Sequence, residues 1–78
     1  MSRGLMNWTF LDVQSFLKNQ GFQLHHTRGS HYYYRRFHAD RVYLTHVQYH
    51  GSKSIPPDTM RAIIKQSGIP KEKWTGDE

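Results

Sequence analysis

The stretch RGSHYYYRR, residues 28–36, decides the fold. Gly29-Ser30 is a two-residue turn signal, and the tyrosine-rich run 31–36 behind it suits a pleated, half-buried surface. Upstream, Phe22 and Leu24 alternate with polar residues, so the Arg28-Gly29-Ser30 turn joins two strands of a hairpin. Downstream, a second turn near His38-Ala39-Asp40 precedes Val42-Tyr43-Leu44-Thr45-His46-Val47, rich in β-branched and aromatic residues. This run is the third strand of an antiparallel meander.

Helical periodicity flanks the meander on both sides. Thr9 followed by Asp12 is a capping-box pattern with Asp in place of the usual Glu, and Phe10, Val13, Phe16 and Leu17 recur at helical spacing. Gly21 suits the position just past a helix end, which predicts a first helix over about residues 10–20. After the polar loop QYHGSKSIPP, prolines precede Met60, Ile63 and Ile64, and Gly68 follows; a second helix is predicted over about 57–67. Ile69 can fold back over its last turn, and Trp74 is expected to pack on this helix or to contact a partner.

The predicted class is therefore α+β, in the order α-β-β-β-α, with a three-stranded antiparallel sheet and both helices on one face. The 78 residues make one small domain, 1–78, with a core of about 9–69 and dispensable ends at 1–6 and 75–78. Such a body has little room for an enclosed substrate pocket, so any site should be shallow. One sheet face, the hairpin turn and the 48–56 loop remain available to a ligand.

With no cysteine, disulfides, thiolate metal sites and thiol redox chemistry are excluded. No apolar run approaches the roughly 20 residues that span a bilayer, and the first residues lack the apolar stretch of a signal peptide. A soluble, cytoplasmic protein with no membrane role is expected. The formal net charge is +5, and residues 13–73 carry ten basic residues against three acidic ones. That surplus favours polyanions, nucleic acid first and an acidic protein second, although a solvated charged surface accounts for solubility equally well.

Six histidines suggest a metal site, but no pair is spaced as on one helix face and no carboxylate completes a ligand set, so no metal and no small-molecule cofactor are expected. Imidazole also serves proton transfer, because its reference pKa of about 6.5 lets it act as base or acid near neutrality. RNA offers a substrate for that chemistry. A base takes the 2′-hydroxyl proton, the oxygen attacks the adjacent phosphorus, a second group protonates the leaving 5′-oxygen, and cations stabilise the phosphoryl charge. Gly29-Ser30-His31 and His50-Gly51-Ser52-Lys53 each supply part of such a site. His25, His26, His38 and His46 read as surface or strand-face residues. Arg28, Arg35, Arg36, Arg41 and Lys53 are candidates for phosphate contacts.

Side chains alternate along a strand, so His31, Tyr33 and Arg35 share one face and Tyr32, Tyr34 and Arg36 the other. A one-residue slip across the turn exchanges the faces, which leaves both assignments open. The arrangement that gathers His31, His50 and Lys53 is the expected one, and it puts Tyr33 in the core, with Phe22 and Leu24 buried beside it.

The ordered set FLKNQGF, GSHYYYRR, YHGSKSIPP and TMRAIIKQSGI resembles the HicA family, the toxin component of HicAB toxin-antitoxin modules, over residues 9–69. The resemblance implies a double-stranded-RNA-binding-domain-like fold, an mRNA-cleaving endoribonuclease activity and an acidic HicB-type antitoxin that covers the active site. It maps the family's essential histidine onto His31, with Gly29 and Ser30 shaping the site and His50 and Lys53 as secondary catalytic candidates. Two features depart from the family: Phe37-His38-Ala39-Asp40 replaces a Pro-Asp-Gly-like turn, and the Val47-Gln48-Tyr49 stretch lacks a proline common before the second signature. The alternative is a non-enzymatic module that holds double-stranded RNA by shape. A protein-interaction adaptor fits the composition but not the GSH and H-x-x-K pair.

Overall fold

The computed structural model describes residues 4, 5 and 7–76. Residues 1–3, 6, 77 and 78, which belong to the ends expected to be dispensable, lie outside the described residues. The element order is α1 (Phe10–Asn19), β1 (Gln23–Arg28), β2 (His31–His38), β3 (Arg41–Gln48), α2 (Pro57–Ser67) and α3 (Lys71–Thr75), with the strands in an antiparallel sheet ordered β1-β2-β3.

α1 starts where the capping box places it. Asp12 N–H donates to Thr9 Oγ1 at 3.3 Å, and Thr9 N–H donates to Asp12 Oδ2 at 2.9 Å. It stops because Gly21 takes φ +94°, which lets Phe22 N–H reach the Leu17 carbonyl at 2.9 Å and Gly21 N–H reach that of Lys18 at 3.1 Å. α2 has proline at its first turn and the left-handed Gly68 at its end.

Both long helices cover the same sheet face. From α1, Gln14 Nε2 donates to the Tyr34 hydroxyl at 2.9 Å; from α2, Gln66 Oε1 accepts from Thr45 Oγ1 at 3.0 Å. Tyr34 pairs with Thr45, and Tyr32 with Val47, so these rows form the floor of the core against Phe10, Val13, Leu17, Met60 and Ile63. Burial pushes the Tyr34 phenol up, partly offset by the Gln14 hydrogen bond.

The face assignment thus differs from the expectation: Tyr34 is the buried tyrosine, and His31, Tyr33 and Arg35 lie on the open face. The cause is a β-bulge between Leu24 and His26. The register begins as Arg28↔His31, Thr27↔Tyr32 and His26↔Tyr33, then His25 is left over and Leu24 pairs with Tyr34. Leu24 reaches the helix side yet remains 45% exposed, against the expectation that it is buried, because β1 is an edge strand whose six residues are all exposed. Phe22 is buried as expected.

The C-terminal segment forms a third short helix that periodicity did not disclose. α3 brings Trp74 onto Phe16 of α1, stacked at 4.1 Å, and edge-on to Trp8 at 5.5 Å. Trp74 therefore closes the N-terminal side of the core, and Thr75 beside it in sequence is buried. Each aromatic pair contributes about 0.5–1.5 kcal/mol beyond the area it buries.

Candidate active site

His31 opens β2, opposite Arg28 on β1 and Gln48 on β3. Gly29, at φ +59°, supplies the left-handed first position of the two-residue turn. Ser30 ties that turn to the end of β3: its carbonyl accepts from Tyr49 N–H at 2.7 Å, and its hydroxyl accepts from Gln48 Nε2 at 3.4 Å. The two small residues thus set where the His31 backbone sits, from the strand on each side.

The His31 ring is half-buried, and its Nδ1 is shielded from solvent with no hydrogen-bond partner. Buried polar atoms are nearly always partnered in native structures, so an orphan of this kind marks a place where a ligand group can complete the set. The ring lies 5.8 Å from that of His46, tilted by 49°.

The 49–56 loop brings a second imidazole. Lys53 N–H donates to the His50 carbonyl at 3.3 Å, Gly51 turns the chain at φ +64°, and the far end is anchored by the buried Ile55, whose N–H donates to the Trp8 carbonyl at 2.7 Å, and by the Thr9↔Ser54 bridge. His31 and His50 consequently line one hollow of about 140 Å³, together with His46, Gln48, Pro56 and Thr59. Lys53 is exposed on the same turn and is not part of that lining.

The four candidate arginines separate by strand register. Arg28 and Arg35 share the open face with His31; Arg35 lies over the Phe37 ring at 5.4 Å. Arg36 and Arg41 lie in the rows of the helix-covered face, Arg36 against Gly21 and Arg41 over the Tyr43 ring at 5.1 Å. Among the described residues no group of three His, Cys, Asp or Glu could hold a metal ion. His25 has its pKa lowered, first by desolvation and then by the charges of Arg35 and His26.

Three lining residues carry no local signal in the sequence: His46 reads as a plain strand-face residue, and nothing marks Gln48 or Thr59. Alternation along β3 does put His46 beside Tyr33 once the face is known, but nothing local announces that Thr59, in the first turn of α2, meets the end of β2.

Beyond the site, the open face ends in exposed Phe37, Val42 and Leu44. No helix among the described residues is long and apolar enough to cross a membrane. No curated protein and no solved structure matches the chain. One family model, the HicA toxin of bacterial toxin-antitoxin modules, matches residues 11–69, from the first turn of α1 to the residue after the Gly68 stop. With most of its length matched and the α-β-β-β-α order in place, the chain belongs to the HicA toxin family.

Proposed function

We propose that this toxin is a metal-independent endoribonuclease that cleaves mRNA in the cytoplasm, with His31 as general acid or base. The observation that carries the reading is the half-buried His31 ring, its Nδ1 unpartnered, in one hollow with His50. One imidazole takes the 2′-hydroxyl proton, the 2′-oxygen bonds to the adjacent phosphorus, and the bond from phosphorus to the 5′-oxygen breaks as that oxygen gains a proton from the second group. The products are a 2′,3′-cyclic phosphate and a 5′-hydroxyl, with no redox co-reactant. His50 is the candidate for the second transfer. Arg28, opposite His31, and Lys53, on the His50 turn, are the candidates to stabilise charge on the phosphoryl oxygens. Gly29 and Ser30 hold the geometry.

A HicB antitoxin is the partner that membership of the family implies. In our reading it is acidic and covers the open face, meeting Arg28 and Arg35 with opposite charge and burying Phe37, Val42 and Leu44, apolar surface of a kind that marks interaction sites.

Incubating the protein with an end-labelled transcript, with and without a chelator, tests the activity. Cleavage to cyclic-phosphate ends that a chelator leaves unchanged is the expected result. RNA that is shifted but intact, with duplex preferred over single strands, would instead favour a non-enzymatic double-stranded-RNA-binding module.

A further inference from the structure

The open face carries a ladder of rings that proton transfer by His31 and His50 does not use. His26 of β1 lies nearly parallel to Tyr33 of β2, with centroids 4.4 Å apart and planes 8° apart, and Tyr33 stacks in turn on His46 of β3 at 5.4 Å and 25°. The ladder crosses all three strands. At its β1 end His25 stands edge-on to His26 at 4.7 Å and 82°. At its β3 end, His46 borders two hollows, one of about 410 Å³ that Tyr33, Thr45 and Gln66 also line and the one of about 140 Å³ that His31 and His50 also line.

A stack of flat rings is extended most readily by another flat ring at its open end. The smaller hollow holds about 140 Å³. At roughly 10–15 Å³ for each water that is space for some ten heavy atoms, the scale of one nucleobase. Its walls suit such a guest: the His46 imidazole offers a flat surface and Pro56 an apolar one, while the Gln48 amide and the Thr59 hydroxyl can donate to and accept from a base edge.

We propose that this hollow is a nucleobase subsite for single-stranded RNA, in which an unpaired base stacks on His46 as the fourth ring of the ladder, with its edge toward Gln48 and Thr59 and its ribose phosphate at His31. The inference rests on the RNA reading above and narrows it. A base inside a duplex is already stacked on both faces and paired along one edge, so this site selects unpaired segments, the form of RNA whose bases can be splayed onto protein rings. Stacking is tolerant of sequence; Gln48 and Thr59 are the residues placed to add a preference.

The test uses the full chain carrying His31→Ala, so that RNA is not cut during titration, and a short single-stranded oligoribonucleotide containing 2-aminopurine. Binding should quench the probe, and annealing the oligonucleotide to its complement should weaken binding. Adding His46→Ala should remove the quenching and lower affinity roughly 5- to 150-fold, the change that stacking worth about 1–3 kcal/mol per base produces. Adding His46→Phe, which keeps a flat ring, should retain both. Unchanged affinity and quenching with His46→Ala, or preference for the duplex, overturns the subsite. The nuclease reading is tested separately: if the otherwise unaltered protein cuts transcripts only when His31 is present, and His46→Ala cuts at the same rate, the subsite falls and the nuclease stands. If quenching follows His46 but the unaltered protein leaves RNA intact, the nuclease falls and the subsite stands.

Discussion

Leu24 pairs with Tyr34, one position out of the register that the Gly29-Ser30 turn begins. An unbroken hairpin would set Leu24 opposite Arg35, on the open face, and His25 opposite Tyr34, against the core. The bulge at His25 returns the apolar residue to the helix side and leaves the imidazole of His26 stacked on Tyr33. Deleting His25 should therefore remove the bulge and leave Leu24 opposite Tyr34 in an unbroken ladder. We expect cross-strand NMR contacts from Leu24 that stay at Tyr34, with stability changed by no more than about 1–2 kcal/mol. Leu24 contacts that leave Tyr34 would show that something other than the one extra residue sets the register.

Replacing His31 by alanine removes the ring but none of the turn's hydrogen bonds, which come from the Ser30 carbonyl and hydroxyl. Transcript cleavage should fall roughly 10²- to 10⁴-fold, as for loss of a positioned general acid or base, while the thermal midpoint changes little. A mutant that cuts at the wild-type rate would take His31 out of the mechanism.

The split among the arginines makes a salt experiment decisive. Arg28 and Arg35 share the face of His31, whereas Arg36 and Arg41 lie in the helix-side rows. For single strands each phosphate contact contributes about 0.7 to the slope of log affinity against log salt. Arg28→Gln and Arg35→Gln should each flatten that slope by about this amount, and Arg36→Gln and Arg41→Gln should leave it unchanged. Equal effects from all four would mean that RNA wraps the sheet edge rather than lying on the open face.

Gly68 ends α2 at φ +71°, and a Cβ there would run into the Tyr43 ring. A left-handed residue other than glycine costs about 1–2 kcal/mol, and displacing a half-buried ring adds to it. Gly68→Ala should therefore destabilise the fold by more than about 2 kcal/mol in chemical denaturation. At Gly29, where a Cβ would meet nothing within 4 Å, the same substitution should carry the backbone cost alone.

The second hairpin turn carries the opposite opportunity. Ala39 and Asp40 both hold positive φ, 51° and 61°, between the paired His38 and Arg41. Asn-Gly is the pair that favours this geometry. The double change Ala39→Asn with Asp40→Gly relieves left-handed strain of about 1–2 kcal/mol per residue, so it should raise stability by about 1 kcal/mol, read as a higher denaturation midpoint, without altering RNA cleavage. No gain would mean that the backbone entropy glycine adds to the unfolded chain offsets the relieved strain.

Much of this protein was legible in the residues alone. The Thr9 and Asp12 cap, the Gly21 and Gly68 stops, the Pro57 start and the Gly29-Ser30 turn act through local backbone chemistry, so the element order and antiparallel topology follow from them. The Gly-Ser turn places the His31 backbone by the same local chemistry, but what singled His31 out among six histidines was the family resemblance carried by the GSH motif. What local chemistry does not contain is the face each strand buries. All three tyrosines of 32–34 suit either side, and the choice depends on a single extra residue in β1 and on two helices that cover β2 and β3 but leave β1 exposed. Trp74 joins Trp8 and Phe16 across nearly the whole chain, a contact without periodic signature. The sequence by itself determined the elements, their order and the candidate histidine, because those are set within a few residues. Only the tertiary structure decided that His31 stands on the open face beside His46 and His50, because side-chain neighbours across strands depend on register, which is a property of the packed sheet.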